Sequence, residues 1–449
     1  LPAPLFAFVS GERGIYFGFQ LETAMQSAPR DRAATHLAIA ATTGNLVCIT
    51  PAISATFGTF LVPISMEFGW PRAAVTGVLG LIAILSAFTY PIIGRMMDRY
   101  GARPLILGGN LALAVSIALL ALTNGNMWLF YLQFGVVGLA GAVCSSPMIA
   151  KIVSNWFDAR RGLMLGVTAG VGNGVGATVI PIVAGVLLPL LGWRGTYVAI
   201  GAIVLLVGFP VLWLWLRDTP TAARSALDAA PVPPSALVLE GLTLAEAIRT
   251  SRFWVLLVAV ASGAGAMTAV FTHVVPMMMD RGFGLGQATG IVVIFALVTA
   301  AWQVVTGGLL DKVRSPLLIV PMYVAAIMGL GLLEFGNGGM TMTAAGILLG
   351  IGMGAEYAAL SYFCSRYFGL RHFGAINSVL YAVVILAQGL TPAAMDLSFD
   401  HTGSYDHVSI ALIVILAMGM LLLFFLPSVA KIAETDEDIP LNRNLVATL

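Results

Sequence analysis

The chain is poor in charge and in cysteine. Asp, Glu, Lys and Arg make up 10% of its 449 residues, against about 25% in soluble domains. So few charges cannot build an ordinary water-facing surface, and a net charge of +1 offers no basic field for nucleic acid. The three cysteines, Cys48, Cys144 and Cys364, stand apart in apolar runs with no C-x-x-C pair or Cys/His cluster. That spacing excludes a disulfide framework and a zinc site. No nucleophile–base pair and no metal-ligand set falls within the apolar runs, so no enzyme, metal or cofactor is expected. No basic stretch precedes the short apolar segment Leu1–Val9, so it does not read as a secretory leader. Residues 1–24 also lack the periodicity of the apolar runs beyond them, which makes Met25 the expected natural start.

What remains is apolar. Hydrophobic residues reach 59% and the mean hydropathy is +0.95, a surplus that must face lipid. A bilayer core about 30 Å thick takes about 20 helical residues. That ruler predicts twelve spans, at 37–66, 73–94, 103–122, 127–153, 162–189, 194–216, 253–278, 286–310, 316–334, 341–365, 373–395 and 406–427. Runs this long without dyad alternation are helices rather than barrel strands. The expected order is an N-terminal segment 1–36, a six-helix bundle 37–216, a linker 217–251, a second bundle 252–428 and a tail 429–449. The linker carries Pro220, Pro231, Pro233 and Pro234 and ends in a short helix, Thr243–Thr250. Placing the N-terminus inside leaves only Arg72, Arg194 and Arg281, of 22 Lys and Arg, on the outer side. The positive-inside rule then puts both termini in the cytoplasm.

The halves repeat. Gly94-Arg95-Met96-Met97-Asp98-Arg99 recurs as Gly307-Gly308-Leu309-Leu310-Asp311-Lys312, and Glu67-Phe68-Gly69-Trp70 recurs as Asp280-Arg281-Gly282-Phe283, both at an offset of 213. Trp156-Phe157 with Arg160 recurs as Tyr367-Phe368 with Arg371 at an offset of 211. Paired six-helix repeats are a build associated with transporters.

The loop Gly94-x-x-x-Asp98-Arg99-x-Gly101-x-Arg103 resembles the signature loop of the major facilitator superfamily. Phe68-Gly69-Trp70-Pro71-Arg72, Trp156-Phe157-x-x-Arg160-Arg161-Gly162 and Arg366-Tyr367-Phe368-Gly369-x-Arg371 are similar to its monocarboxylate-transporter and oxalate/formate-antiporter branch. The resemblance implies two bundles rocking around a central cavity lined by spans 1, 4, 7 and 10. It also implies that the Asp98 loop latches the halves on the inner side, with Gly94, Asp98, Arg99, Arg103, Asp311, Arg160 and Arg371 as gating residues. A carboxylate at a helix end can meet a neighbouring helix N-terminus, and Arg99 and Arg103 can close a charge network around it. The second copy departs from the pattern, with Arg314-Ser315-Pro316 in place of Gly-x-Arg, so a lopsided latch is expected. Span 5 lacks a Gly-Pro-rich antiporter motif, so exchange is not expected.

Glu356 is the leading candidate for solute or proton chemistry. It lies ten residues before Arg366, about 15 Å deep, and an acid there costs roughly 2.5–3.5 kcal/mol on insertion scales. It is therefore expected to face a cavity or a partner and to bind a proton or the solute. Gln303 stands where the branch carries an arginine that would anchor a carboxylate. No Lys or Arg replaces it, since Lys151 and Arg366 lie near inner ends and can snorkel. Asn45, Tyr357 and His273 are further candidates, as cavity lining or as bonds between helices, with His273 nearer the outer surface. Pro51 is expected to kink span 1 and free a carbonyl. Gly172-Asn173-Gly174-Val175-Gly176-Ala177 fits a dinucleotide fingerprint, but it follows no strand and reads as close helix packing.

The expectation is an all-α integral membrane protein of twelve helices in two pseudo-symmetric bundles. It would carry a small solute, an organic (mono)carboxylate with proton coupling, by alternating access. The alternatives are an exporter of amphipathic or cationic compounds, or a non-transporting sensor of the same fold. The expected partners are the solute, a proton and the lipid of a plasma (inner) membrane, with the chain working as a monomer. Three Lys against 19 Arg suit a bacterial source.

Overall fold

The computed structural model of the chain describes residues 32–218 and 241–428. The segment 1–31, most of the linker and the tail 429–449 lie outside the described residues. Almost every described residue is helical, as backbone in hydrocarbon must be when no water can satisfy it. The spans are α1 (Arg32–Phe68), α2 (Ala74–Tyr100), α3 (Ala102–Leu122) and α4 (Met127–Trp156), followed by a run of 55 residues, Arg161–Trp215. A single helix of that length would reach about 80 Å, far beyond one bilayer. It is two spans: Gly192 leaves helical space at φ 65° and ψ 174°, separating α5 (161–191) from α6 (193–215). After the linker come α7 (Ser251–Asp280), α8 (Gly286–Val313), α9 (Pro316–Phe335), α10 (Gly339–Phe368), α11 (Phe373–Thr402) and α12 (Asp406–Phe425). The described residues thus cross twelve times, and by that parity Arg32 and Ser428 lie on one face together with the α2–α3 and α8–α9 loops. We call this the signature face.

Local sequence sets the span ends. Gly101, at φ 86°, turns the chain between α2 and α3 in a conformation an L side chain resists. The Asn126 side chain accepts from the backbone N–H groups of Trp128 and Leu129 at the start of α4. Two helices run further than hydropathy predicts, α2 to Tyr100 and α11 to Thr402. Asp98 and Asp396 are consequently helical residues rather than loop residues. The short linker helix forms over Leu244–Ile248 with Thr243 and Glu246 closing a capping box.

The two halves meet along two pseudo-symmetric seams, α2 against α11 and α5 against α8. Both seams close on glycine. A Cβ at Gly94 would overlap the Gly374 carbonyl and the Ser378 hydroxyl, and at Gly162 and Gly307 each would overlap the other's carbonyl. The glycine-rich run in α5 serves packing, as the sequence suggested. A Cβ at Gly172 would press on Asn45 of α1, one at Gly176 on the Leu46 carbonyl and Pro51, and one at Gly174 on Ala300 of α8.

Five spans are irregular, α6 among them with a π-turn at Val204–Gly208. Pro51 sits in a π-turn, Thr50–Ser54, inside α1, and α5 has another at Val167–Val171. α4 breaks between Val143 and Ser146, and α10 between Gly354 and Glu356. The breaks in α4 and α10 fall at equivalent repeat positions. Irregular backbone at membrane depth is tolerated only where protein or a polar path surrounds it.

Candidate functional site

The signature face holds the two aspartates of the repeated loop, Asp98 and Asp311. Asp98, at the end of α2, reaches across the seam to the N-terminus of α11. Its Oδ1 accepts from the Gly374 N–H at 3.0 Å and its Oδ2 from the Ala375 N–H at 2.7 Å. Asp311, at the end of α8, does the same to α5, accepting from the N–H groups of Gly162 and Leu163 at 2.8 Å each. Each carboxylate thus sits on the positive end of a helix from the opposite half, where two orphan N–H donors converge. Gly94 and its counterpart Gly307 allow that approach.

The cation completing the first latch is not one the sequence suggested. Lys151 of α4 does not snorkel; it is buried, with its Nζ 2.5 Å from Asp98 Oδ1. Arg99 stacks over Tyr100 instead, and Arg103 donates to the Trp213 carbonyl while its own backbone N–H is capped by Asp218. The Arg99–Arg103 charge network around Asp98 is therefore corrected to Lys151. At the equivalent position in the second half stands Tyr362, whose hydroxyl donates to the Leu310 carbonyl. The latch is lopsided, but through Lys151 against Tyr362 rather than through the loop at Arg314.

Arg160 and Arg371 are exposed and join no ion pair among the described residues. Their neighbours bridge the halves instead. Arg366 of α10 donates to Asp158 Oδ1 and to the Asp158 carbonyl, both at 2.7 Å. Arg161 of α5 reaches Asp158 Oδ1 at 3.1 Å and Ser365 Oγ at 3.1 Å. In both motifs the other arginine, Arg161 or Arg366, and not the one the repeat pattern singled out, turns inward. With four such ties the two halves are joined on the signature face.

Deeper in the N-terminal half, Asn45 closes a bond between helices at the α4 break. Ser146 donates to Asn45 Oδ1 at 2.5 Å, Asn173 Nδ2 donates to Ser146 Oγ at 2.8 Å, and Cys48 donates to Asn173 Oδ1 at 3.3 Å. Sequence reasoning noted Asn173 only within a glycine run, yet a lone amide among glycines on an apolar span was its signal.

In the C-terminal half several buried groups lack partners among the described residues. Glu356 opens the second segment of α10 and is 4% exposed. Its Oε1 occupies room left by Gly263 of α7, where a Cβ would meet it at 2.7 Å and the Tyr323 hydroxyl at 2.5 Å. Its Oε2 has no hydrogen-bond partner among the described residues. Val260, Ala264, Leu360, Tyr381 and Val384 line the crevice beside it, which has no room for water. Glu356 is thus enclosed by α7, α9 and α11 rather than turned to the seam between halves. Gln303 does lie at the seam, its backbone packed on Gly166 and its side chain on Gly170 of α5. Its Oε1 and the neighbouring Trp302 Nε1 are buried without partners among the described residues. The Tyr357 side chain lies outside the described ones. Ser361 meets Asn377 and Tyr381 of α11, both at 3.3 Å.

On the opposite face His273 of α7 is buried and tied to Asp396 of α11, Nε2 to Oδ1 at 2.8 Å. The sequence did not single out Asp396, because hydropathy ended that span one residue too early.

Comparison with known proteins agrees with this geometry. Residues 46–392 match the family model of the Major Facilitator Superfamily. Human monocarboxylate transporter 11 is 28% identical over 286 residues, 61% of this chain and 57% of that protein. The chain thus matches little more than half that relative's length. An uncharacterized MFS-type transporter, YhjX, of Escherichia coli (strain K12) is 24% identical over 333 residues, 73% of this chain and 79% of that one. Among solved structures, the E. coli fucose:proton symporter FucP superposes with a TM-score of 0.62 at 16% identity, over 89% of this chain and 98% of that one. Twelve crossings, paired halves with reciprocal carboxylate–helix contacts and the match over most of the chain lead to one conclusion: this protein belongs to the Major Facilitator Superfamily.

Proposed function

We propose that the protein is a secondary transporter that moves a small organic acid together with a proton, by alternating access between its two halves. The observation that carries this is Glu356, an acid buried at the break of α10 with one oxygen unpartnered among the described residues. Leaving a buried charge uncompensated costs several kcal/mol. Gain or loss of a proton there must therefore accompany a change in what surrounds it, which is the requirement for coupling a proton to a conformational change.

Trp302 Nε1 and Gln303 Oε1 supply one neutral donor and one neutral acceptor beside the seam. The buried cations Lys151 and Arg161 are both engaged at the signature face. A donor–acceptor pair without a cation suits a carboxylic acid that travels with its proton. The names of the relatives, a monocarboxylate transporter and a fucose:proton symporter, lend support. In this reading the signature face is cytoplasmic, the membrane is a plasma membrane, and the conformation is the one sealed on the cytoplasmic side by Asp98, Asp311, Asp158 and their partners.

The test is uptake by proteoliposomes of labelled organic acids chosen by a thermal-shift screen, with an imposed pH gradient. Accumulation with the gradient and its collapse by a protonophore are expected. Accumulation of amines or amphipathic cations against the proton gradient would replace this reading with that of an exporter. Ligand binding with no solute movement in counterflow would make the protein a sensor.

A further inference from the structure

The His273–Asp396 contact lies on the face opposite the latches, and its geometry fixes where protons sit. Nδ1 is 2.8 Å from the Ala269 carbonyl oxygen and Nε2 is 2.8 Å from Asp396 Oδ1. A carbonyl can only accept, so Nδ1 carries a hydrogen. The Thr272 hydroxyl is 3.0 Å from Nδ1, but it has the carbonyls of Thr268 at 3.0 Å and Ala269 at 2.9 Å to donate to. With Nδ1 so assigned, Nε2 faces a carboxyl oxygen. Either the ring is an imidazolium donating to the carboxylate, or the neutral ring accepts from a protonated Asp396. In both forms one proton lies between Nε2 and Oδ1. Remove it, and a nitrogen lone pair confronts a carboxylate at 2.8 Å.

We propose that His273 and Asp396 form a second proton-binding site, holding one exchangeable proton that ties α7 to α11 on the face opposite the signature loops. The site lies at the protein surface, toward the end of α11: the Asp396 side chain is 66% exposed while that of His273 is 7% exposed. The other groups facing the ring fit a site of this kind. The Tyr405 ring, in the turn before α12, lies 5.8 Å from the imidazole. Beyond it, Asp280 at the end of α7 and Asp400 on α11 act on the same tyrosine. No cation among the described residues pairs with Asp396 in place of His273. Loss of this proton would free the outer ends of two helices of the C-terminal half. The site is independent of the solute and of Glu356, so it can stand if the organic-acid reading falls, and the reverse.

The chain has five histidines, which makes nitrogen NMR of the ¹⁵N-histidine-labelled full chain in lipid nanodiscs a direct test. The His273 signals are assigned by their loss in His273→Gln, or by elimination using substitutions at His36, His372, His401 and His407 should that variant not fold. Expected is an Nδ1 that stays protonated throughout, and a pH step of about one proton at Nε2 or its carboxyl partner. Asp396→Asn should move the step to lower pH, since an amide N–H can donate to the neutral Nε2 and no carboxylate remains to hold the imidazolium. Two results would overturn the proposal: a bare Nδ1 across the range, or His273 signals in the unsubstituted chain that do not change between about pH 5 and 9. A pH step that persists unshifted in Asp396→Asn would also overturn it.

Discussion

Replacing Asp98 by Asn should open the signature face further than the same change at Asp311, because only the first latch carries a cation. Asp98 accepts from Lys151, Gly374 and Ala375; Asp311 accepts from Gly162 and Leu163. At either site Asn keeps one acceptor and turns the other atom into a donor facing donors, a loss of about 1.5–3 kcal/mol for a charge-assisted bond. At Asp98 the change also strands a buried ammonium, which raises the loss to about 3–5 kcal/mol. The difference of roughly 2 kcal/mol is about a thirtyfold larger shift toward the state open on this face. Spin labels at Arg160 and Arg371 would read it, since both side chains are exposed and in opposite halves; the buried cysteines would first be replaced. A longer inter-label distance should be populated in the order Asp98→Asn, Asp311→Asn, parent, and adding Lys151→Met to Asp98→Asn should restore part of the closed population. Equal shifts at the two aspartates, or no recovery with Lys151→Met, would refute the reasoning.

Other outcomes rest on the same contacts. Gly162→Ala and Gly307→Ala should each favour the state open on the signature face, because the methyl must displace the other glycine's carbonyl; unchanged label distances would count against the seam. Asp158→Ala removes the acceptor shared by Arg161 and Arg366. It should make a cysteine placed at Ser365 more reactive to a membrane-impermeant thiol reagent than it is in the parent, whereas equal labelling would place the gate elsewhere. The Thr243 backbone N–H and hydroxyl, with Arg371 and His372 farther off, hold the Glu246 carboxyl below its ordinary value. A lowered folded value stabilises the linker helix above the unfolded value and loses that support as pH falls through the lowered one. Protection against hydrogen exchange at 244–248, taken relative to the intrinsic rate at each pH, should therefore be greater at neutral pH than in acid below about pH 4; Thr243→Ala should show little protection at either.

The fold was legible because a bilayer imposes a ruler. Twelve apolar runs, a charge bias and a repeat offset left little freedom, and the offset pointed to Asp311, whose carboxylate meets the start of α5. Side-chain partners were less legible, because sequence spacing does not say which way a helix end turns. Arg160 and Arg161 are adjacent, yet one faces solvent and the other bridges the halves. Lys151 read as a snorkelling residue because its distance from the helix end was known and its neighbour across the bundle was not. Hydropathy also ends a span where polarity begins, although a helix continues past that point when its polar residues find partners. Asp98 and Asp396 escaped the predicted spans for that reason. Glu356 stood out because an acid deep within an apolar run has few neutral explanations, but its enclosure by Gly263, Tyr323 and the crevice residues depends on packing that no spacing encodes.

The proton-to-solute link at Glu356 is the claim on which the functional reading turns, and proteoliposomes loaded with a pH-sensitive dye test it most directly. Downhill entry of the transported acid into unsubstituted protein should acidify the lumen in proportion to uptake. Glu356→Gln should abolish gradient-driven accumulation yet keep counterflow of labelled solute. Full accumulation by Glu356→Gln against the solute gradient would contradict the account.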